Sequence, residues 1–205
     1  MTDARSLFRA AVDCLDRREL PEAERLFLET LQFAPNSVPT LNNLALVQQT
    51  QGKHDAALQT ALRAVAAEPR NLEALMMVAV CQKERGDFIN AAAACREIIQ
   101  NDPSNARVHC WLGEALYRCG DPVGACASFD RAIAIEPDLA DAWVSKGHVV
   151  EDSGYYEKAL AAYQTALKLK SDHGLLRCVS PLVTQADIRR CSMLPSSSRR
   201  IEPVR

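Results

Sequence analysis

The chain has 205 residues, a formal net charge of −2 and an aromatic content of only 5%. That charge excludes a broad basic field for nucleic acid. The opening Met-Thr-Asp-Ala-Arg-Ser lacks the apolar run of a secretory signal, and no stretch reaches the ~20 apolar residues that cross a bilayer, so a soluble cytoplasmic protein is expected.

Three columns recur every 34 residues: Pro35, Pro69, Pro103 and Pro137; Gly52, Gly86, Gly120 and Gly154; and Ala23, Ala57, Ala91, Ala125 and Ala159. They divide the chain into five helical hairpins, 4–37, 38–71, 72–105, 106–139 and 140–173. The glycine position ends a first helix at positive φ, the alanine lies early in a second helix, and the proline, in the first four hairpins, stops it.

The first hairpin has the weakest first helix, with Ala10-Ala11 at its centre, and it carries Arg18 where the others have glycine. Pro21 fits the first turn of its second helix. The second hairpin places Leu41, Leu44 and Ala45 on one helical face, and Ala57, Leu58, Ala61 and Val65 on the next. Steps of three and four residues define such a buried stripe. In the third, Val78 to Arg85 runs into Gly86, and Asp87 caps the second helix. The fourth pairs Leu112, Gly113 and Leu116 with Ala125, Phe129, Ala132 and Ile133, behind the cap Asp121 and Pro122. The fifth carries Trp143, Gly147, Ala159 and Tyr163. Helices of about 13 residues are marginal alone in water, so stability has to come from stacking.

These residues resemble the tetratricopeptide repeat, W-x2-L-G-x2-Y, then A-x3-F, then P. Leu112-Gly113, Ala125, Phe129 and Pro137 match it closely, while the fifth copy departs at Lys146 and Ser171. The resemblance covers 4–173. It implies an all-α fold, a right-handed α-solenoid of antiparallel helix pairs, with the first helix of each pair lining a concave groove. Beyond it, 174–205 has no aromatic residue and no lysine, and six arginines face only Asp187 and Glu202. Leu175, Leu176, Val179, Leu182 and Val183 are expected to form a partial cap. The remainder reads as a flexible basic tail, either vestigial or bound to an acidic surface.

No phosphate loop, zinc signature or nucleophile elbow occurs. The eight cysteines contain no C-x-x-C pair, and they read as reduced apolar residues. No catalytic residue, metal ligand or cofactor is expected. The groove-facing columns supply the candidate partner-binding residues: Arg5, Arg9, Asn42, Asn43, Met76, Met77, Lys83, Arg107, Trp111 and Tyr117. Asp141, Glu151 and Asp152 give the far end an acidic character. Arg5, Arg9 and Asn43 stand where a chaperone-type carboxylate clamp would begin, but Glu73 and Met77 replace the basic residues that would complete it. Asn42-Asn43 is similar to the asparagine-lined repeats of O-linked N-acetylglucosamine transferases, although Met77, Trp111 and Ser145 occupy the later positions of that column. The sequence therefore predicts an interaction adaptor for a protein or peptide partner, without nucleic acid or membrane. Two alternatives are a recognition module of a larger transferase and self-association through the ends of the stack.

Overall fold

The computed structural model describes residues 3–169. The expected cap and basic tail, with Ser171, Cys178 and Cys191, lie outside the described residues. Ten helices, and no strand, occur among the described residues: α1 (Ala4–Asp16), α2 (Leu20–Phe33), α3 (Val38–Thr50), α4 (His54–Ala67), α5 (Leu72–Glu84), α6 (Phe88–Asn101), α7 (Ala106–Arg118), α8 (Pro122–Ile135), α9 (Ala140–Asp152) and α10 (Tyr156–Leu169). This is the expected all-α fold of stacked helix hairpins.

Local chemistry sets the hairpin turns. At the end of α3, Gly52 has φ 77°. Its N–H donates to the Gln49 carbonyl and that of Lys53 donates to the Gln48 carbonyl, both at 2.9 Å. This pair of bonds satisfies carbonyls that the helix itself leaves open. α1 ends in the same way without glycine: Arg18 adopts φ 62°, and the N–H groups of Arg18 and Glu19 donate to Leu15 and Cys14. Next, Asp87 and Asp121 accept from the N–H groups of Asn90 and Gly124 to cap α6 and α8. Before the recurring prolines, Ala34, Glu68, Asp102 and Glu136 leave the helical region, with ψ between 76° and 90°. A proline at the next position forces that extended geometry by steric exclusion.

The chain forms two compact units, Met1–Pro103 and Ser104–Arg205. In the first, helices α1 to α6 pack each on the next, and the first helices of successive hairpins also touch, α1 with α3 and α3 with α5. Its core includes Leu7, Phe27, Leu31, Leu41, Leu44 and Val47. In the second, α7 packs on α8, α8 on α9, α9 on α10, and α7 on α9, around Ala125, Phe129, Val149 and Tyr163. Every member of the alanine column is buried. The space at each helix crossing therefore admits only a small side chain.

α1 departs from its counterparts. In α3 the residues Thr40, Leu44 and Val47 are buried, as are Ala74, Val78 and Cys81 in α5. The equivalent Ser6, Ala10 and Asp13 of α1 are exposed. Ser6 is drawn into a capping box with Asp3.

Candidate protein-binding surface

The candidate residues fall into two groups, one on each unit. The first group is carried by α1, α3 and α5. Arg5 and Arg9 are exposed on α1. Asn42 on α3 is buried, at 7% exposure. Its Nδ2 donates to Glu73 Oε2 at 2.9 Å, and more weakly to Asn71 Oδ1 at 3.4 Å. Asn71 Oδ1 also accepts from the N–H of Ala74 and so caps α5. Asn42 thus fastens α3 to the first turn of α5. Beside it, the partly buried Asn43 donates to the carbonyl of Pro39 in its own helix. Met76, Met77 and Lys83 on α5 are all partly buried.

One row on this surface is not evident from the apolar pattern. Val12, Leu46 and Val80 stand 34 residues apart on α1, α3 and α5, and Leu46 is 40% exposed. Leu46 looks like a core residue in a helical apolar pattern, whereas Val12 does pack against the core. The signal that could have found Leu46 is the column itself, since Val80 lies four and three residues after Met76 and Met77, on their side of α5.

The second group is carried by α7 and α9. Arg107 is exposed and Trp111 partly buried on α7. The hydroxyl of Tyr117 donates to the Asp152 carboxylate on α9, and that of Tyr163 donates to Glu151 at 2.6 Å. Two of the three carboxylates at the acidic end expected from the sequence, Glu151 and Asp152, are therefore engaged by tyrosines. Lys146, in place of the usual leucine, extends to Asp130 on α8. Its Nζ lies 5.8 Å from the ring centroid of Trp143. A long aliphatic stem allows a charge to occupy such a position, because the head can leave the packed layer.

The thiols of Cys81 and Cys110 are poorly suited to chemistry. Burial pushes the Cys110 thiol up to about 12, and the carboxylates of Asp141, Glu136 and Glu114 add to it. Burial likewise raises Cys81 to about 11. Both remain protonated at neutral pH, and the thiol is the unreactive form. None of the six described cysteines forms a disulfide. Among the described residues no group of three or more His, Cys, Asp or Glu could hold a metal ion, and no helix is long and apolar enough to cross a membrane.

Stacked hairpins with their first helices side by side define a helical-repeat scaffold that offers a surface. Comparison with known proteins gives the family. Tetratricopeptide repeat profiles match residues 42–106, 82–140 and 140–173, and the chain belongs to the tetratricopeptide repeat family. It is similar to the mouse Protein O-mannosyl-transferase TMTC1, 28% identical over 141 residues, covering 65% of this chain and 15% of that protein. It is also similar to Tetratricopeptide repeat protein 8 of Caenorhabditis elegans, 28% identical over 70% of this chain and 29% of that protein. A third relative, the barley Probable UDP-N-acetylglucosamine--peptide N-acetylglucosaminyltransferase SPINDLY, is 32% identical over 73% of this chain and 17% of its own length. The chain thus spans less than a third of each of these relatives.

Among solved structures, residues 41 to the end of MamA from Desulfovibrio magneticus RS-1 give a TM-score of 0.79 at 17% identity, covering 84% of this chain and 98% of that one. YrrB, described as a TPR protein with an unusual peptide-binding site, gives 0.72 at 18% identity over 84% and 89% of the two chains. At such identities the likeness shows the fold.

Proposed function

We propose that this protein is a non-enzymatic interaction scaffold that binds segments of partner proteins along the first helices of its hairpins. The observation that carries this reading is the surface of α1, α3 and α5. Arginines, an asparagine, methionines and a lysine on three adjacent helices form a mixed polar and apolar face. Large apolar groups left in contact with water on such a face mark interaction sites. Arg5, Arg9, Asn43, Met76, Met77 and Lys83 are the contacts proposed on the first unit, with Asn42 positioning α5. Arg107, Trp111 and Tyr117 are those proposed on the second. Self-association through the start of the stack has less support, because Ser6, Ala10 and Asp13 offer little apolar area there.

The test is affinity capture from cell extract with four proteins: wild type, Met76→Glu with Met77→Glu, Trp111→Ala, and Leu62→Glu on α4. Partners lost with the inner variants but kept with the α4 variant support the proposal. For a purified partner that uses the second unit, Trp111→Ala weakens binding by about 2 kcal/mol, on the scale of an interface hot spot. Partners kept by every inner variant would shift attention to the other helix faces.

A second reading is favoured by one observation. Two of the named relatives are transferases, and this chain covers 15% and 17% of their lengths. On that reading it recognises substrates for a catalytic domain. Sugar transfer to a captured partner by a transferase that co-purifies with the chain from extract, from labelled UDP-N-acetylglucosamine or a mannosyl donor, and lost with the inner variants, would support it. Capture without transfer leaves the scaffold.

A further inference from the structure

The chemistry of the first unit allows the partner segment to be described more closely. Val12, Leu46 and Val80 form a row across three packed helices. Met76 and Met77 lie four and three residues before Val80, on the same face of α5. Leu46, at 40% exposure, and the partly buried Val80, Met76 and Met77 make an apolar strip in contact with water, while Val12 packs against the core at its α1 end. Arg9 and Arg5 precede Val12 by three and seven residues on α1, so the strip has a basic end. Its opposite end carries Glu73, whose carboxylate is held by the amide of Asn42.

Resting on the reading of this face as the partner-binding surface, we infer that the first unit takes a short peptide segment of fixed order: acidic residues over α1, then apolar residues over α3 and α5. Three adjacent helices spaced about 8–10 Å apart span roughly 20 Å. About six extended residues cover that length at ~3.3 Å each. Carboxylates over α1 meet two guanidinium groups, which bind them with defined geometry. Apolar side chains further along meet Leu46, Val80 and the two methionines, whose unbranched side chains adapt to varied shapes. At the level of Arg5 and Arg9, α5 carries Glu73, while Lys83 lies nearly three turns further along that helix, so Glu73 disfavours an acidic residue there and fixes direction, since unlike potentials attract and like ones repel. A basic segment, such as the chain's own 174–205 stretch with six arginines, carries the wrong charge for Arg5 and Arg9.

Selection of a random peptide library, displayed on phage, against the purified full chain tests this. Enriched peptides are expected to carry Asp or Glu to one side of an apolar cluster. A synthetic peptide from that set is expected to bind about tenfold more weakly to Met77→Glu, as for loss of a central contact. Its affinity is expected to lose most of its salt dependence in Arg5→Ala with Arg9→Ala. Selection against Arg5→Glu with Arg9→Glu is expected to turn to basic peptides. Thermal melts of each variant confirm folding; Met77→Gln replaces Met77→Glu, and Arg5→Gln with Arg9→Gln replaces either arginine variant, if one does not fold. Basic peptides enriched on wild type, no enrichment, or unchanged binding to the folded Met77 variant would overturn the inference. If extract partners still depend on Met76 and Met77 while selection yields another chemistry, only the acidic-to-apolar order fails and the binding surface stands.

Discussion

The second and third hairpins of the first unit and the two hairpins of the second build the same helix crossing from different side chains. Hairpins two and three place Ala45 with Ala61, and Ala79 with Cys95, all buried. Hairpins four and five place Gly113 with Phe129, and Gly147 with Tyr163. A Cβ built on Gly113 would meet the Phe129 ring at 2.8 Å, and one on Gly147 would meet the Tyr163 ring at 2.3 Å. In hairpins four and five the ring leaves no room for a Cβ on the glycine opposite it, whereas Ala61 and Cys95 leave room for an alanine, so in a close-packed interior each residue of the pair limits the size of the other. The first hairpin combines Ala11 with Phe27 and adds Phe8, whose ring lies 5.9 Å from that of Phe27.

The largest effect that tests this comparison comes from exchanging one pair for the other. Phe129→Ala is expected to destabilise the chain by about 3–5 kcal/mol, as for other buried aromatics. Gly113→Ala alone is expected to cost about 1–3 kcal/mol by overpacking against the ring. The double variant reproduces the pair of hairpin two, so its loss is expected to be smaller than the sum. Urea denaturation of all four proteins gives the coupling directly. Strict additivity would show that the two positions do not share one volume.

A second test separates the rings themselves. Tyr163 is buried and donates to Glu151. Burial, chiefly, then that bond and the charges of Glu151 and Asp152, raise its ionisation above the usual tyrosine range. The folded state therefore favours the neutral phenol. Its stabilising contribution is complete below about pH 10, the ordinary tyrosine value, and is lost as pH rises further. Melting temperatures between pH 9 and 11 are expected to fall less for Tyr163→Phe than for wild type. An equal fall in both would mean that Tyr163 does not govern this pH dependence.

The smallest effect concerns the turns. Arg18 holds the positive φ that glycine holds in the other four hairpins. A side chain there costs roughly 1–2 kcal/mol, but a glycine loses more entropy on folding, by about 0.5–1 kcal/mol. Arg18→Gly is therefore expected to stabilise the chain by about 0.5–1 kcal/mol at most. A lower melting temperature would indicate that Arg18 makes a contact that outweighs its strain.

Most of the hairpin was legible because its signals are local. The glycine and Arg18 column, the caps Asp87 and Asp121, and the breaking prolines act within a few residues of themselves, through φ, hydrogen bonding and steric exclusion. Asn71 and Asn105 cap α5 and α7 in the same way. They precede apolar runs and are open to the same reasoning. Much less of the candidate surface was legible. Asn42 reads as a groove residue, yet its amide is engaged by Glu73 and Asn71. Tyr117 and Lys146 likewise find Asp152 and Asp130 on neighbouring helices.

The amino-acid sequence by itself determined the helices, their ends and the small residues at their crossings, since a 34-residue period repeats the same local physics five times. The tertiary structure alone decided the division into two units after Pro103, which no break in the period announces. It also decided which exposed-looking polar residues bind their neighbours and which apolar ones, such as Leu46, face water. Those outcomes depend on partners about thirty residues away across a helix interface, and a periodic pattern fixes the position of a side chain without fixing what it will touch.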